Sequence, residues 1–107
     1  MQKKRKDQET VENRSQKRIS YIREIKIGSG IRRSTDLSID GMYLEASAKF
    51  PVGAFVELQF KLQESDKIPL QLQAQVIYVH EGTGVGVRFL NLSTQDREKI
   101  QKFIDQH

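Results

Sequence analysis

The stretch VELQFKL, residues 56–62, decides the fold class because its apolar and polar residues alternate without interruption. A period of two is typical of a β-strand with one face buried and the other in water. The stretch LQLQAQV, residues 70–76, repeats the pattern. The turn residues Pro51-Val52-Gly53 precede the first stretch, and the polar residues 63–67 separate the two. The sequence therefore predicts two neighbouring half-buried strands here.

Further strands are predicted on both sides of these two, separated by turns that contain glycine. The predicted strands are residues 19–27, 31–35, 42–46, 56–62, 70–79 and 85–89. Gly28-Ser29-Gly30 and Gly82-Thr83-Gly84 mark two of the turns, and Gly41 is expected to be a turn glycine as well. Six short strands with such turns predict a mainly β fold, a small six-stranded antiparallel barrel.

The end of the chain has the pattern of an α-helix. Ser93-Thr94-Gln95-Asp96 resembles a capping box, although Asp stands where Glu or Gln is commoner. Ile100, Phe103 and Ile104 follow at helical spacing. We therefore predict a C-terminal α-helix with one apolar face that packs on the sheet.

The positive charge lies in the first part of the chain. Residues 1–40 contain 11 Lys and Arg against 6 Asp and Glu, whereas residues 41–107 contain 7 against 8. Residues 1–13, MQKKRKDQETVEN, have too few apolar side chains to offset the entropy of ordering. We therefore predict a flexible basic switch segment at residues 1–18, suited to an anionic partner, followed by a barrel domain with its terminal helix at residues 19–107.

Composition excludes several classes of protein. A chain of 107 residues suits one small domain with one core. It has no Cys, which excludes disulfides and thiolate metal sites and is compatible with a cytoplasmic location. No apolar run approaches the roughly 18 residues of a membrane span. His80 and His107 have no partners at metal spacing, and no nucleophile–base arrangement is present, so we expect neither a metal site nor an enzyme.

Two polar motifs carry the functional interpretation. Arg14-Ser15-Gln16-Lys17-Arg18 supplies two guanidinium groups, each able to bind a phosphate with two hydrogen bonds or to lie against a base. Asp36-Leu37-Ser38-Ile39-Asp40-Gly41 supplies a carboxylate, a hydroxyl and a glycine. Taken alone, the first motif also fits a solvated basic linker and the second a turn stabilised by Asp or Ser. Together they fit a nucleotide, with its phosphates at the arginines and a guanine edge at the carboxylate.

The joint pattern resembles the signature of PilZ domains, which are bacterial receptors for cyclic di-GMP. That signature is R-x-x-x-R followed by [D/N]-x-S-x-x-G, and this chain carries it from Arg14 to Arg18 and from Asp36 to Gly41. The order of later features is also similar to the family: Pro51-Val52-Gly53, then Gly86-Val87-Arg88-Phe89, then the helix. The resemblance covers residues 13–105.

The resemblance implies a six-stranded barrel with an N-terminal switch segment and a ligand site between the two motifs. It implies that Arg14 and Arg18 bind phosphate and guanine, and that Asp36, Ser38 and Gly41 shape the guanine site and recognise the base. The interval between the motifs is short for the family. A compact hairpin between them would be needed to bring the arginines to the site.

Three more basic residues, Lys17, Arg32 and Arg33, are candidates for additional ligand contacts. The implied function is a cyclic di-GMP receptor, without catalytic activity, that changes conformation on binding and regulates a protein partner. One alternative is a small barrel that binds nucleic acid through its basic segment; the scarcity of aromatic residues outside core positions disfavours it. Another is a PilZ-like interaction module that has lost ligand binding.

Overall fold

The computed structural model describes residues 17–46 and 50–107. Within these ranges the strands are β1 (Ile19–Ser20), β2 (Glu24–Ile27), β3 (Gly30–Leu37), β4 (Gly41–Glu45), β5 (Phe55–Phe60), β6 (Leu70–His80) and β7 (Gly84–Leu90), and the helix α1 is Thr94–Asp105. Of the predicted switch segment, residues 1–18, only Lys17 and Arg18 are included. Residues 1–16 lie outside the described residues, so the structure does not describe the predicted flexibility of that segment or the position of Arg14.

Six strands close into an antiparallel barrel. Their order is β3-β2-β5-β6-β7-β4, and the pairing of β4 with β3 closes the circle. The short strand β1 pairs with the end of β3 that leads towards β4, where Ile19 lies opposite Leu37 and Ser20 opposite Asp36. This architecture confirms the predicted mainly β fold, a six-stranded antiparallel barrel with a C-terminal helix, and adds β1 as one extra strand.

The pair β5–β6, which the alternating stretches predict, is the most regular part of the barrel. It keeps one register over six residue pairs. Leu58 and Phe60 on β5 and Leu72 and Ala74 on β6 are buried, while the intervening glutamines of β6 are exposed or half-buried. The period of two therefore reports the inward and outward faces of these strands correctly.

The predicted first strand, residues 19–27, is two strands in the structure, with a break from Tyr21 to Arg23. The fully buried hydroxyl of Ser34 accounts for the break, because it accepts from the Arg23 backbone N–H at 3.1 Å and donates to the Tyr21 carbonyl at 2.6 Å. The β3–β4 register shifts at the same place, between Ser34 and Asp36. Because of this bulge, Ser34 and Asp36 lie on opposite faces of the strand: Ser34 points inward and Asp36 outward.

Helix α1 begins as its sequence predicts. The Ser93 hydroxyl accepts a hydrogen bond from the Asp96 backbone N–H at 3.0 Å, which satisfies one of the free donors of the first turn. Ile100, Phe103 and Ile104 are buried and belong to the same core as the barrel strands. Across residues 17–46 and 50–107, no helix has the length and apolar character needed to cross a membrane.

Candidate functional site

Arg18 of the first motif and Asp36 of the second meet on the outer surface of the barrel. Because β1 runs antiparallel to the end of β3, the residue that precedes it, Arg18, lies close to Asp36. Its Nη1 donates to Oδ1 of Asp36 at 2.5 Å, in an ion pair whose two side chains are both partly exposed. The tight turn at Gly28-Ser29 makes the β2–β3 connection short. The short interval between the motifs therefore does not prevent Arg18 from reaching Asp36.

Ser38 holds the turn that joins β3 to β4. Its side chain is fully buried, and its hydroxyl lies within hydrogen-bond distance of the backbone N–H groups of Asp40 (3.3 Å) and Gly41 (3.2 Å) and of the Gly41 carbonyl (3.3 Å). The Ser38 backbone N–H also donates to that carbonyl, at 2.8 Å. One donor and two acceptor positions of a hydroxyl are thus all engaged within the turn. Ser38 fixes the shape of the loop beside Asp36.

Gly41 differs from its expected role as a turn residue. It is the first residue of β4, pairs with Arg88 on β7, and is not among the glycines of positive φ. A Cβ atom at this position would collide with the carbonyl oxygen of Val87. The glycine is therefore required by the close approach of β4 and β7, which also places the exposed Arg88 next to the turn.

The three additional basic candidates have different surroundings. Lys17 is exposed and adjoins Arg18 in the chain. Arg33 lies on the outward face of β3, and its Nε donates to Glu45 on β4 at 3.3 Å. Arg32 lies opposite the buried Ile25, and its guanidinium is 5.9 Å from the centroid of the Phe50 ring. Arg33 thus shares the face of Asp36, whereas Arg32 makes its contacts elsewhere.

An aromatic cluster, which we define as Tyr43, Tyr78 and His80, lies beside Asp36. Tyr43 is the cross-strand partner of Asp36, and Gly86 lies between Tyr43 and Tyr78. The two tyrosine ring centroids are 6.1 Å apart, and the Tyr43 hydroxyl is 3.0 Å from Nδ1 of His80. Partial burial raises the pKa of Tyr43, and the neighbouring Tyr78 and Asp36 raise it further. The carboxylate of Asp36 therefore has an aromatic surface at its side.

Glycines make room for the two tyrosine rings. A Cβ atom on Gly84 would lie 2.7 Å from Cε2 of Tyr43, and one on Gly86 would lie 2.8 Å from the hydroxyl oxygen of Tyr78. Each ring therefore lies over a glycine, with one side towards the sheet. Tyr78 remains 41% exposed.

The aromatic cluster was not predicted from the sequence as part of a site, because its members come from strands that are distant in the chain. The signal available in the sequence is the spacing Gly84-x-Gly86. Alternate residues of a strand share a face, so two such glycines leave part of that face without side chains. Side chains from neighbouring strands can then cover it. Among the described residues, no group of three or more His, Cys, Asp or Glu is placed to hold a metal ion.

The chain belongs to the PilZ domain family, since that family matches residues 12–106. Comparison with curated protein sequences gives no match. The match to the family covers both motifs, the whole barrel and the whole terminal helix.

Three solved structures share the fold. The inhibitor of motility MotI/DgrA of Bacillus subtilis has a TM-score of 0.76 at 14% identity, over 85% of this chain and 48% of that one. YcgR of Escherichia coli, in complex with c-di-GMP, has a TM-score of 0.63 at 22% identity, over 85% of this chain and 44% of that one. An uncharacterised Legionella protein has a TM-score of 0.55 at 14% identity, over 84% and 91%. This chain thus spans less than half the length of the first two.

Proposed function

We propose that this chain binds cyclic di-GMP on the outer surface of the barrel, between the N-terminal arginines and the turn after β3. The ion pair between Arg18 and Asp36 carries the proposal, because it brings one residue of each motif to the same place. Membership of the PilZ family and the likeness to YcgR, whose structure contains c-di-GMP, support the choice of ligand.

The chemistry of the pair suits a nucleotide. The Asp36 carboxylate can accept hydrogen bonds from the N–H groups of a guanine edge, and the Arg18 guanidinium can donate to phosphate oxygens. The two side chains are 48% and 30% exposed. An ion pair this accessible contributes about 0–1 kcal/mol. A ligand phosphate can therefore replace Asp36 as the partner of Arg18 at little cost, which frees the carboxylate for the base.

The remaining site residues have supporting roles in this proposal. Arg14 supplies a second guanidinium from the preceding segment. Ser38 shapes the turn through its hydrogen bonds, and Gly41 allows the close approach of β4 and β7 beside it. Arg88 and Lys17 add exposed positive charge around the site and favour an anionic ligand.

We also propose that binding orders residues 1–18 on the barrel. The positive charges of this segment repel one another, and a ligand with two phosphates would reduce the repulsion and give the arginines fixed partners. The ordered segment would present a new surface to a protein partner in the cytoplasm. In this proposal the domain acts by binding alone and performs no catalysis.

Arginine variants test the binding site. We expect Arg18→Ala and Arg14→Ala each to weaken cyclic di-GMP binding tenfold or more, because a charge-assisted hydrogen bond contributes about 1.5–3 kcal/mol and about 1.4 kcal/mol is tenfold in affinity. Isothermal titration calorimetry measures this. Arg97→Ala, on the exposed side of α1, is the matched control and should bind as the wild type does. Unchanged affinity in both motif variants would contradict the assignment.

A parallel titration separates the alternatives. Single-stranded oligonucleotide is titrated at two salt concentrations, since binding through a phosphate backbone weakens steeply as salt rises. Salt-sensitive oligonucleotide binding without cyclic di-GMP binding would favour the nucleic-acid alternative. A wild-type chain that binds neither ligand would favour an interaction module that has lost its ligand.

A further inference from the structure

We propose that Tyr43 and Tyr78 form a stacking surface for a purine base of the bound nucleotide. This inference rests on the proposed function and extends its site from β3 across β4 and β7 to β6. Neither tyrosine belongs to the two polar motifs. The surface follows from strand register, from the glycines beneath the rings and from the charges around them.

Strand register places the tyrosines in line with Asp36. Residues Asp36, Tyr43, Gly86 and Tyr78 form one row of cross-strand partners on β3, β4, β7 and β6. Neighbouring strands are about 4.8 Å apart, so Tyr43 is one strand from Asp36 and Tyr78 is about 14 Å away. A cyclic dinucleotide carries two purines on one compact ring of sugars and phosphates. When Asp36 binds the edge of a purine, the tyrosines lie where the face of that base, or of its partner, can be covered.

The rings are held in place before any ligand arrives. Tyr78 lies over Gly86 and Tyr43 over Gly84, so a side of each ring is fixed against the sheet. The hydrogen bond between the Tyr43 hydroxyl and His80 also restrains the Tyr43 ring. Side chains that are already ordered lose little entropy on binding, which makes them efficient contacts. Tyr78 keeps 41% of its surface exposed, a large apolar area for a ring that serves packing alone.

The charges around the rings suit an anionic ligand with aromatic bases. Arg18 lies beyond Asp36 at one end of the row, and Arg88 is exposed on β7 two residues from Gly86. Glu45, the acidic residue at this face of β4, is paired with Arg33. The phosphates of a dinucleotide can therefore lie near cations while its purines cover the tyrosines. Stacking of this kind is tolerant of base identity, unlike recognition by the Asp36 carboxylate.

Two substitutions at one position test the stacking surface. We expect Tyr78→Ala to weaken cyclic di-GMP binding at least about fivefold, and Tyr78→Phe, which keeps the ring, to bind within about twofold of the wild type. The affinity ratio of cyclic di-GMP to cyclic GMP–AMP should stay unchanged in Tyr78→Ala. Ile31→Ala removes an exposed apolar side chain from the far end of β3 and should bind normally. Calorimetry gives the affinities, and the melting temperature shows whether each variant is folded.

A spectroscopic measurement is independent of any substitution. The chain has three tyrosines, of which Tyr21 is buried at 3% exposure. Adding cyclic di-GMP should shift the NMR ring signals of Tyr43 and Tyr78 and leave those of Tyr21 in place. Native affinity in Tyr78→Ala, or equal losses in the Ala and Phe variants, would overturn the stacking surface even if Arg18→Ala abolishes binding. A wild-type chain without affinity for cyclic di-GMP would overturn both proposals.

Discussion

The pair β5–β6 and the edge where β1 meets β3 are both antiparallel, but they satisfy their backbone groups differently. The first keeps one register over six residue pairs, and its hydrogen bonds are those of a regular ladder. The second has only two residue pairs. The strand is interrupted after β1, and the pairing of β3 with β4 shifts its register. The regular pair places apolar side chains in the core, whereas the irregular edge places Asp36 and Arg18 outward in contact with each other. The candidate ligand site thus lies at an irregular edge of the barrel.

Buried serines explain how the irregular edge stays folded. Ser34 and Ser38 are both fully buried, and each hydroxyl forms hydrogen bonds with backbone groups at this edge. A buried backbone group without a partner costs about 1–3 kcal/mol, so these side chains are structural necessities. In β5–β6 the strands themselves provide those bonds. Polar residues at the edge therefore maintain a shape, and apolar residues in the regular pair maintain a core.

The largest expected effect is the loss of a core side chain from the regular pair. Leu58 is 1% exposed, and Leu58→Ala should lower the free energy of unfolding by about 2–5 kcal/mol, through lost burial and the cavity left behind. Urea unfolding followed by circular dichroism measures the change. Glu57→Ala, at the neighbouring exposed position, should alter stability by less than about 0.5 kcal/mol. Similar losses in the two variants would show that the face assignment of β5 is wrong.

A smaller effect is expected at the turn of the irregular edge. Ser38→Ala leaves the backbone N–H groups of Asp40 and Gly41 without their hydroxyl acceptor, and should destabilise the fold by about 1–3 kcal/mol. Cyclic di-GMP affinity should fall as well, because the loop beside Asp36 loses its fixed shape. Ser29→Ala, in the exposed β2–β3 turn, is the control. A stable Ser38→Ala variant with reduced affinity would instead indicate direct contact of the hydroxyl with the ligand.

The fold was largely predictable because its strands follow simple alternation. The stretches around Leu58 and Leu72 show the inward and outward faces directly, and Ser93 marks the start of the helix. The break after β1 was not predictable from alternation, since β-branched residues lie on both sides of it and Ile22 lies within it. It depends on Ser34, which comes from another strand and substitutes a side-chain hydrogen bond for the ladder. Local patterns do not reveal such long-range replacements.

The candidate site was predictable only in part, for a similar reason. The motif pattern identified Arg18 and Asp36, and the structure shows that they meet. It could not separate Asp36, which faces outward, from Ser38, whose hydroxyl is engaged in its own turn. The tyrosines were missed because they lie on β4 and β6, which are brought close only by the order of the strands in the sheet. A motif contains residues close in the chain, whereas this surface combines residues from four strands.

The smallest change in stability is expected at Asp36. Its effect on ligand selectivity tests whether the irregular edge recognises the base. Its ion pair with Arg18 is partly exposed, so Asp36→Ala should lower the free energy of unfolding by at most about 1 kcal/mol. Selectivity for cyclic di-GMP over cyclic di-AMP should nevertheless fall about tenfold, because the carboxylate accepts from donors of guanine that adenine presents differently. Competition calorimetry with the two ligands gives the ratio. Asp40→Ala, which removes the other carboxylate of the motif, should keep the selectivity. If Asp36→Ala retains it too, the carboxylate serves only to hold Arg18, and base recognition belongs to another group on the same face, with Arg88 the next residue to substitute.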